Sequence, residues 1–381
     1  MPAESADPSV PAATPAPGGA LDSVDGIDDV DVFELGAEHE QVVFCNDPAS
    51  GLKAIVALHS TALGPALGGA RMWHYESPGD GIEDALRLAR AMTFKAAAAG
   101  LSLGGGKGVI CAPTPERPEG EARRAMLLDF GDAVASLGGK YVTAEDVGTG
   151  AADMAVIAER TSHVVGLPGE RGGSGDPSPV TARGVLAALR ACLEHRHGDP
   201  SLTGVRVCVV GAGHVGGRLA RLLVGGGAEV TTTDVDPSRR ALAEELGARW
   251  VDPSDAILTE CDVLAPCALG GVIDAATVER LRCQIICGAA NNVLADESLA
   301  ADLTRRGIVY APDFIANAGG LISVYAELRH LDRQAVAGLV DHIGGTIGLI
   351  LDAADRHGTT PLAEAQCLAL QRLRTAPAAA A

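Results

Sequence analysis

The chain has 381 residues, 47% of them hydrophobic, and carries a formal charge of -19. That length and apolar content suit two buried cores, whereas the acidic balance excludes nucleic-acid or anionic-membrane binding, which needs concentrated positive surface. Nine cysteines, an odd count without a tight pair, predict reduced thiols in the cytoplasm. No metal site is expected, because Cys283 and Cys287 have no His or further Cys at ligand spacing. Residues 1–25, rich in Pro, Ala and Gly and without a basic start, read as a disordered tail and not a signal peptide. No apolar run approaches a membrane span.

In chain order, the alternation at 41–45 and 52–58, about turn formers at 47–51, predicts a hairpin. Residues 59–71 read as a glycine loop, in which Gly68 and Gly69 beside Leu67 would let a small ligand lie against backbone with an apolar wall next to it. Ile82, Leu86, Leu88, Ala89 and Met92 recur at helical spacing and predict a helix over 82–99, with Lys95 on its last turn. A lysine there also suits a helix C-terminus electrostatically. Gly104, Gly105 and Gly106 follow, then Lys107 and an apolar strand at 109–111. Three glycines let the backbone approach something that a Cβ would obstruct, with Lys107 projecting from the strand start into it. A phosphate-binding P-loop is excluded, since Leu101 and Gly108 occupy the positions that need Gly and Ser or Thr.

An amphipathic helix is expected over 119–137, followed by a short strand that ends in Glu145, Asp146 and Gly148. An acid at a strand end can react, or it can cap the helix that begins near Ala151. Turn formers at 172–184 open a helix through Leu189 and mark an interdomain connection. The next strand, 205–210, runs into Gly211, Gly213 and Gly216 and then a helix carrying Leu219, Leu222 and Leu223. The following strand ends at Asp234, 23 positions after Gly211. Glycines in that strand-to-helix context place a pyrophosphate on the helix N-terminus and the acid on the adenosine ribose; a carboxylate there favours NAD over NADP. Short strands at 263–265, 284–287 and 308–310 end in loops containing Ala268, Asn291 and Asn317, which should line the cofactor crevice. Asn291 and Asn317 can each donate and accept there. From 334 to 374 the pattern is helical, with Val336, Leu339, Val340, Ile343, Ile347, Leu349 and Ile350 as an apolar face expected to return to the first domain.

Together these motifs resemble the glutamate/leucine/phenylalanine/valine dehydrogenase family over about 33–374. The carriers are Pro65 to Gly69, Lys95, Leu103 to Lys107, Thr143 to Gly148, Pro179 to Ala182, the Gly211 fingerprint, Gly288 to Asn292 and Asn317 to Gly320. The resemblance implies a two-domain α/β fold: a substrate domain over 26–175, a Rossmann NAD-binding domain over 176–330, and a C-terminal helical segment, 331–375, packing on the first. It implies NAD-dependent oxidative deamination of an amino acid to its 2-oxo acid, in a homo-oligomer. By the same resemblance Lys95 holds the substrate carboxylate, Lys107 activates water, Asp146 transfers protons and Asn317 binds near the amino group. Thr181 and Asn291 serve the nicotinamide. Leu67 stands where glutamate-specific relatives place a cation, so Leu67, Gly68 and Met92 point to a branched-chain substrate, with phenylalanine as an alternative. A catalytically silent NAD-binding regulator is the alternative of another class. Asp176, Ala96, Tyr325 and Thr346 depart from common family usage.

Overall fold

Two sheets carry the architecture of this computed structural model, which describes Glu34 and residues 36–376. The tail expected at 1–25 and the last five residues lie outside them. The first sheet has the order β1-β2-β4-β3-β5, formed by β1 (Gln41–Asp47), β2 (Leu52–Ser60), β3 (Ala66–Trp73), β4 (Gly104–Cys111) and β5 (Tyr141–Glu145). The β1–β2 and β2–β4 pairs are antiparallel, whereas β3 runs parallel to both β4 and β5. Helix Pro78–Ala98 lies on one face of this sheet and Gly120–Ser136 on the other.

The second sheet comprises β6 (Arg206–Val210), β7 (Glu229–Thr233), β8 (Arg249–Trp250), β9 (Val263–Pro266), β10 (Ile285–Ile286) and β11 (Val309–Tyr310). All its pairs are parallel, in the order β11-β10-β9-β6-β7-β8. Strand order reverses between β6 and β9, and the usual ligand position in such a sheet lies at the C-terminal ends of the strands beside that switch point.

Three expectations need correction. Residues 59–71 are not a glycine loop, because Ala66–Trp73 is a strand in the middle of the first sheet. Lys107 is not at a strand start either: the glycines before it already belong to β4. What they approach is protein, and protein also lies against Gly68, the place expected for a small ligand. A Cβ on Gly105 would stand 2.0 Å from the Thr93 backbone N, one on Gly104 2.0 Å from Ser60 O, and one on Gly68 1.7 Å from Gly106 O. The glycine run and the buried Ala96, Ala97 and Ala98 thus seat helix Pro78–Ala98 directly on the sheet.

The C-terminal pattern is two helices, Arg333–His357 and Pro361–Arg374, separated by Gly358 at φ 65°. Leu349, expected on the apolar face, is 67% exposed; buried Thr346 and Leu351 take part instead. The longer helix lies along Ser178–His197, and the final helix is the one that touches Pro78–Ala98. There Arg372 donates to Ala97 O at 2.7 Å and Ala98 O at 2.8 Å. Contrary to expectation, Arg333–His357 is long and apolar enough to cross a membrane by length and composition; here Val340, Ile343, Ile347 and Ile350 are buried in the same cluster as Val185, Leu189 and Cys192.

Candidate active site

Strand alternation assembles the site from the first sheet. Leu67, Gly69 and Arg71 share one face of β3. Leu67 is in register with Gly105 and Arg71 with Val109, so Lys107 stands on that same face of β4, beneath helix Pro78–Ala98. Asp146 follows β5 directly and closes over Gly69, where an added Cβ would meet Asp146 Cβ at 2.7 Å and Glu145 O at 2.6 Å. Lys107 Nζ donates to Asp146 Oδ2 in a short contact, and Arg71 Nε donates to the same oxygen at 3.1 Å. Asp146 does not cap the next helix. Gly150 is the N-cap there, its N–H donating to Asp153 at 2.9 Å.

Burial drives the electrostatics. Lys107 is 5% exposed, and desolvation lowers its pKa, opposed by Asp146. Burial pushes Asp146 up, but Lys107 and Arg71 together hold it below the usual carboxylate range. Lys95, on the last turn of its helix, is brought down to about 8 by desolvation, with Lys107 adding like-charge repulsion and Asp313 opposing. Asp313 is buried and raised, its Oδ2 accepting from Val293 N at 2.9 Å.

The loops of the second sheet meet these groups. Lys95 Nζ donates to Asn291 Oδ1 at 3.2 Å, and Asn317 Nδ2 donates to the same oxygen at 2.8 Å. Asn317 Nδ2 also reaches Ala289 O at 3.2 Å and Ala290 O at 3.3 Å, while its Oδ1 is buried without a partner. A buried acceptor left open calls for a donor from a bound molecule. Leu67 is buried in a cluster with Phe94, Leu103, Val142 and Leu321, and Met92 packs against it. The Thr346 hydroxyl is likewise buried without a partner.

At the fingerprint, Gly211 adopts φ 104° against Ala268, and a Cβ on Gly216 would lie 1.9 Å from Gly211 O. Gly213 differs. Nothing lies within 4 Å of its Cβ position, immediately before helix His214–Gly225. That open backbone at a helix N-terminus fits a dinucleotide pyrophosphate. Asp234 accepts from Ala212 N at 2.8 Å and Asp236 N at 2.9 Å, holding its carboxylate at the end of β7. Thr181 donates to Pro177 O at 3.0 Å and stands against Gly319 and Gly320. Asp176, a departure from family usage, accepts from Arg218 on the fingerprint helix at 2.8 Å. Tyr325 lies under the Arg329 guanidinium.

Sequence reasoning missed Arg71, Asp84 and Asp313. Reading 59–71 as loop hid the i, i+2, i+4 alternation that aligns Arg71 with Leu67 and Gly69.

A parallel sheet with an open glycine at its switch point, whose loops also reach a desolvated lysine through Asn291, defines a dinucleotide-dependent enzyme. Comparison with known proteins narrows this. The model of the Glu/Leu/Phe/Val dehydrogenase dimerisation domain matches residues 39–163, and that of the Glutamate/Leucine/Phenylalanine/Valine dehydrogenase domain matches 238–379. The NAD binding domain of D-isomer specific 2-hydroxyacid dehydrogenases matches 188–270. Leucine dehydrogenase of Geobacillus stearothermophilus is 45% identical over 89% of this chain and 91% of its own. Valine dehydrogenase of Streptomyces virginiae is 46% identical over 89% and 94%. Among solved structures, L-tryptophan dehydrogenase from Nostoc punctiforme aligns with TM-score 0.80 and 37% identity, covering 91% of this chain and 98% of that one. The chain belongs to the Glu/Leu/Phe/Val dehydrogenase family. It is an NAD-dependent amino acid dehydrogenase.

Proposed function

We propose that the enzyme oxidatively and reversibly deaminates a branched-chain L-amino acid, leucine, valine or isoleucine, to its 2-oxo acid and ammonium. The observation that carries this is Leu67, buried among apolar side chains beside Gly68 and Gly69. A second substrate carboxylate there would be desolvated without a partner, at a cost of several kcal/mol. Leucine and valine dehydrogenases among the relatives support the same reading.

Lys95, charged below about pH 8, holds the α-carboxylate. Asn317 offers its unpartnered Oδ1 to the amino group. Gly213 leaves room for the pyrophosphate while Gly211 and Gly216 let the loop close tightly beside it; Asp234 takes the adenosine ribose, and Ala268, Asn291 and Thr181 the nicotinamide side. Bound NAD supplies the acceptor for the hydride that leaves the substrate Cα. Lys107, whose pKa burial lowers, takes a proton from the attacking water. Asp146 relays protons to and from it as the carbinolamine collapses to ammonium and 2-oxo acid. The protein works in the cytoplasm, consistent with nine free cysteines, and as a homo-oligomer, consistent with the dimerisation domain it matches.

Aromatic amino acids are the second reading, favoured by the likeness to L-tryptophan dehydrogenase. NADH formation by the purified protein with leucine, valine, isoleucine, phenylalanine, tryptophan and glutamate tests both. Fastest turnover on an aliphatic substrate is expected. An aromatic preference overturns the branched-chain reading, and no NADH from any substrate with NAD still bound points to a silent regulator.

A further inference from the structure

We propose that Arg71, anchored by Asp84 and Tyr75, is a positioning residue that orients Asp146 toward Lys107 and sets the lower pH limit of the reaction. This rests on the roles given above to Lys107 and Asp146. Arg71 is held at both ends. Its Nε donates to Asp146 Oδ2, the oxygen that receives Lys107, and its Nη1 donates to Asp84 Oδ2 at 2.8 Å.

Asp84 cannot turn away. The same Oδ2 accepts the Tyr75 hydroxyl at 2.7 Å, and Oδ1 accepts Arg87 at 2.6 Å. Strand β3 fixes the guanidinium from below, helix Pro78–Ala98 fixes it from above, and Gly69 leaves the space that lets Asp146 reach it. Arg71 also lines a cleft of about 430 Å³ with Trp73, Tyr75, Glu83 and Val147. A pair with one partner fixed at both ends loses little freedom when it engages.

The charged and titratable groups facing Asp146 are Lys107 from β4, Arg71 from β3, Lys95 from helix Pro78–Ala98 and Tyr141 from β5. Asp84 and Arg87 stand behind Arg71. Removing the Arg71 charge lets Asp146 protonate at higher pH, by about 1 to 3 pH units for an adjacent guanidinium. It also removes a like charge beside Lys107, which then keeps its proton to higher pH. Both changes move the acid limb of kcat/KM upward.

The test is that limb, measured on the best-used amino acid for the wild type, Arg71→Gln, Arg71→Lys, Asp84→Asn and Lys107→Ala. For Arg71→Gln an upward shift of about one pH unit or more is expected, with kcat lowered about 10–100-fold and the KM for NAD unchanged. Arg71→Lys should return the limb toward wild type while kcat stays low. In Asp84→Asn, kcat should fall without an upward shift, since a negative charge has been removed. An unmoved limb in Arg71→Gln overturns the inference. If that variant does not fold, wild-type kcat in both Arg71→Lys and Asp84→Asn overturns it. Wild-type turnover by Lys107→Ala would remove the underlying reaction instead, and this inference with it.

Discussion

The glycines of the Lys107 strand and those of the dinucleotide loop look alike in sequence and do opposite things. Around Lys107 every missing Cβ is occupied by protein: Thr93 over Gly105, Tyr141 against Gly106, Phe130 against Gly108. In the dinucleotide loop Gly211 and Gly216 are filled in the same way, but Gly213 opens onto nothing. The first region uses glycine to bury a lysine rigidly between a helix and a sheet, and the second uses one glycine to leave room. A glycine run near a reacting group is therefore not itself a sign of ligand contact.

Lys107→Ala is the most severe break in the first region. It should lower turnover about 10²–10⁴-fold, the span of general acid–base contributions, while NAD affinity, measured by fluorescence titration, holds. Near-normal turnover would remove Lys107 from the mechanism. Gly105→Ala and Gly213→Ala then set the two regions side by side. The first forces a methyl to within 2.0 Å of the Thr93 backbone and should cost about 1–3 kcal/mol or more in urea unfolding, as overpacked cores do. The second should leave unfolding unchanged within about 0.5 kcal/mol and raise the Kd for NAD. Equal unfolding curves for the pair would erase the distinction.

A smaller effect concerns pH. Desolvation puts Lys95 at about 8, below the ordinary lysine value, so its charge is present below that pH and lost as pH rises through it. kcat/KM for the amino acid, which reports the free enzyme, should decline above about 8. Lys95→Arg, always protonated, should flatten that alkaline limb whatever it does to the maximum. A limb that persists unchanged assigns it elsewhere. Smallest is coenzyme choice: Asp234→Ser should reduce the preference for NAD over NADP, because the carboxylate repels a 2′-phosphate. Faster wild-type reduction of NADP would overturn the assignment.

Much of this was legible because strands and helices declare themselves by period. The hairpin, helix Pro78–Ala98 and the parallel strands of the second sheet follow from alternation, helical spacing and turn residues. Strand β3 was not legible, since two glycines in the middle of Ala66–Trp73 erase both β-propensity and alternation. What compensates is tertiary: Gly68 and Gly69 fit where Gly106 O and Asp146 come close. Strand β8 escaped because Arg249–Trp250 lacks the apolar run that marks the equally short β10 and β11. Within the site, Lys95, Lys107, Asp146 and Asn317 stood out by motif. The Arg71–Asp84–Tyr75 chain did not, because its members approach one another only once β3 pairs and the helix docks.

The guanidinium of Arg372 closes the end of the helix that carries Lys95, bonding carbonyls at Ala97 and Ala98 from 275 and 274 residues further along the chain. During synthesis the last turn of the Lys95 helix therefore stays untied until Arg372 has been made and has folded back onto it. A chain that stops short of residue 372 lacks that tie, so a change in the final helix is felt at the helix that carries Lys95.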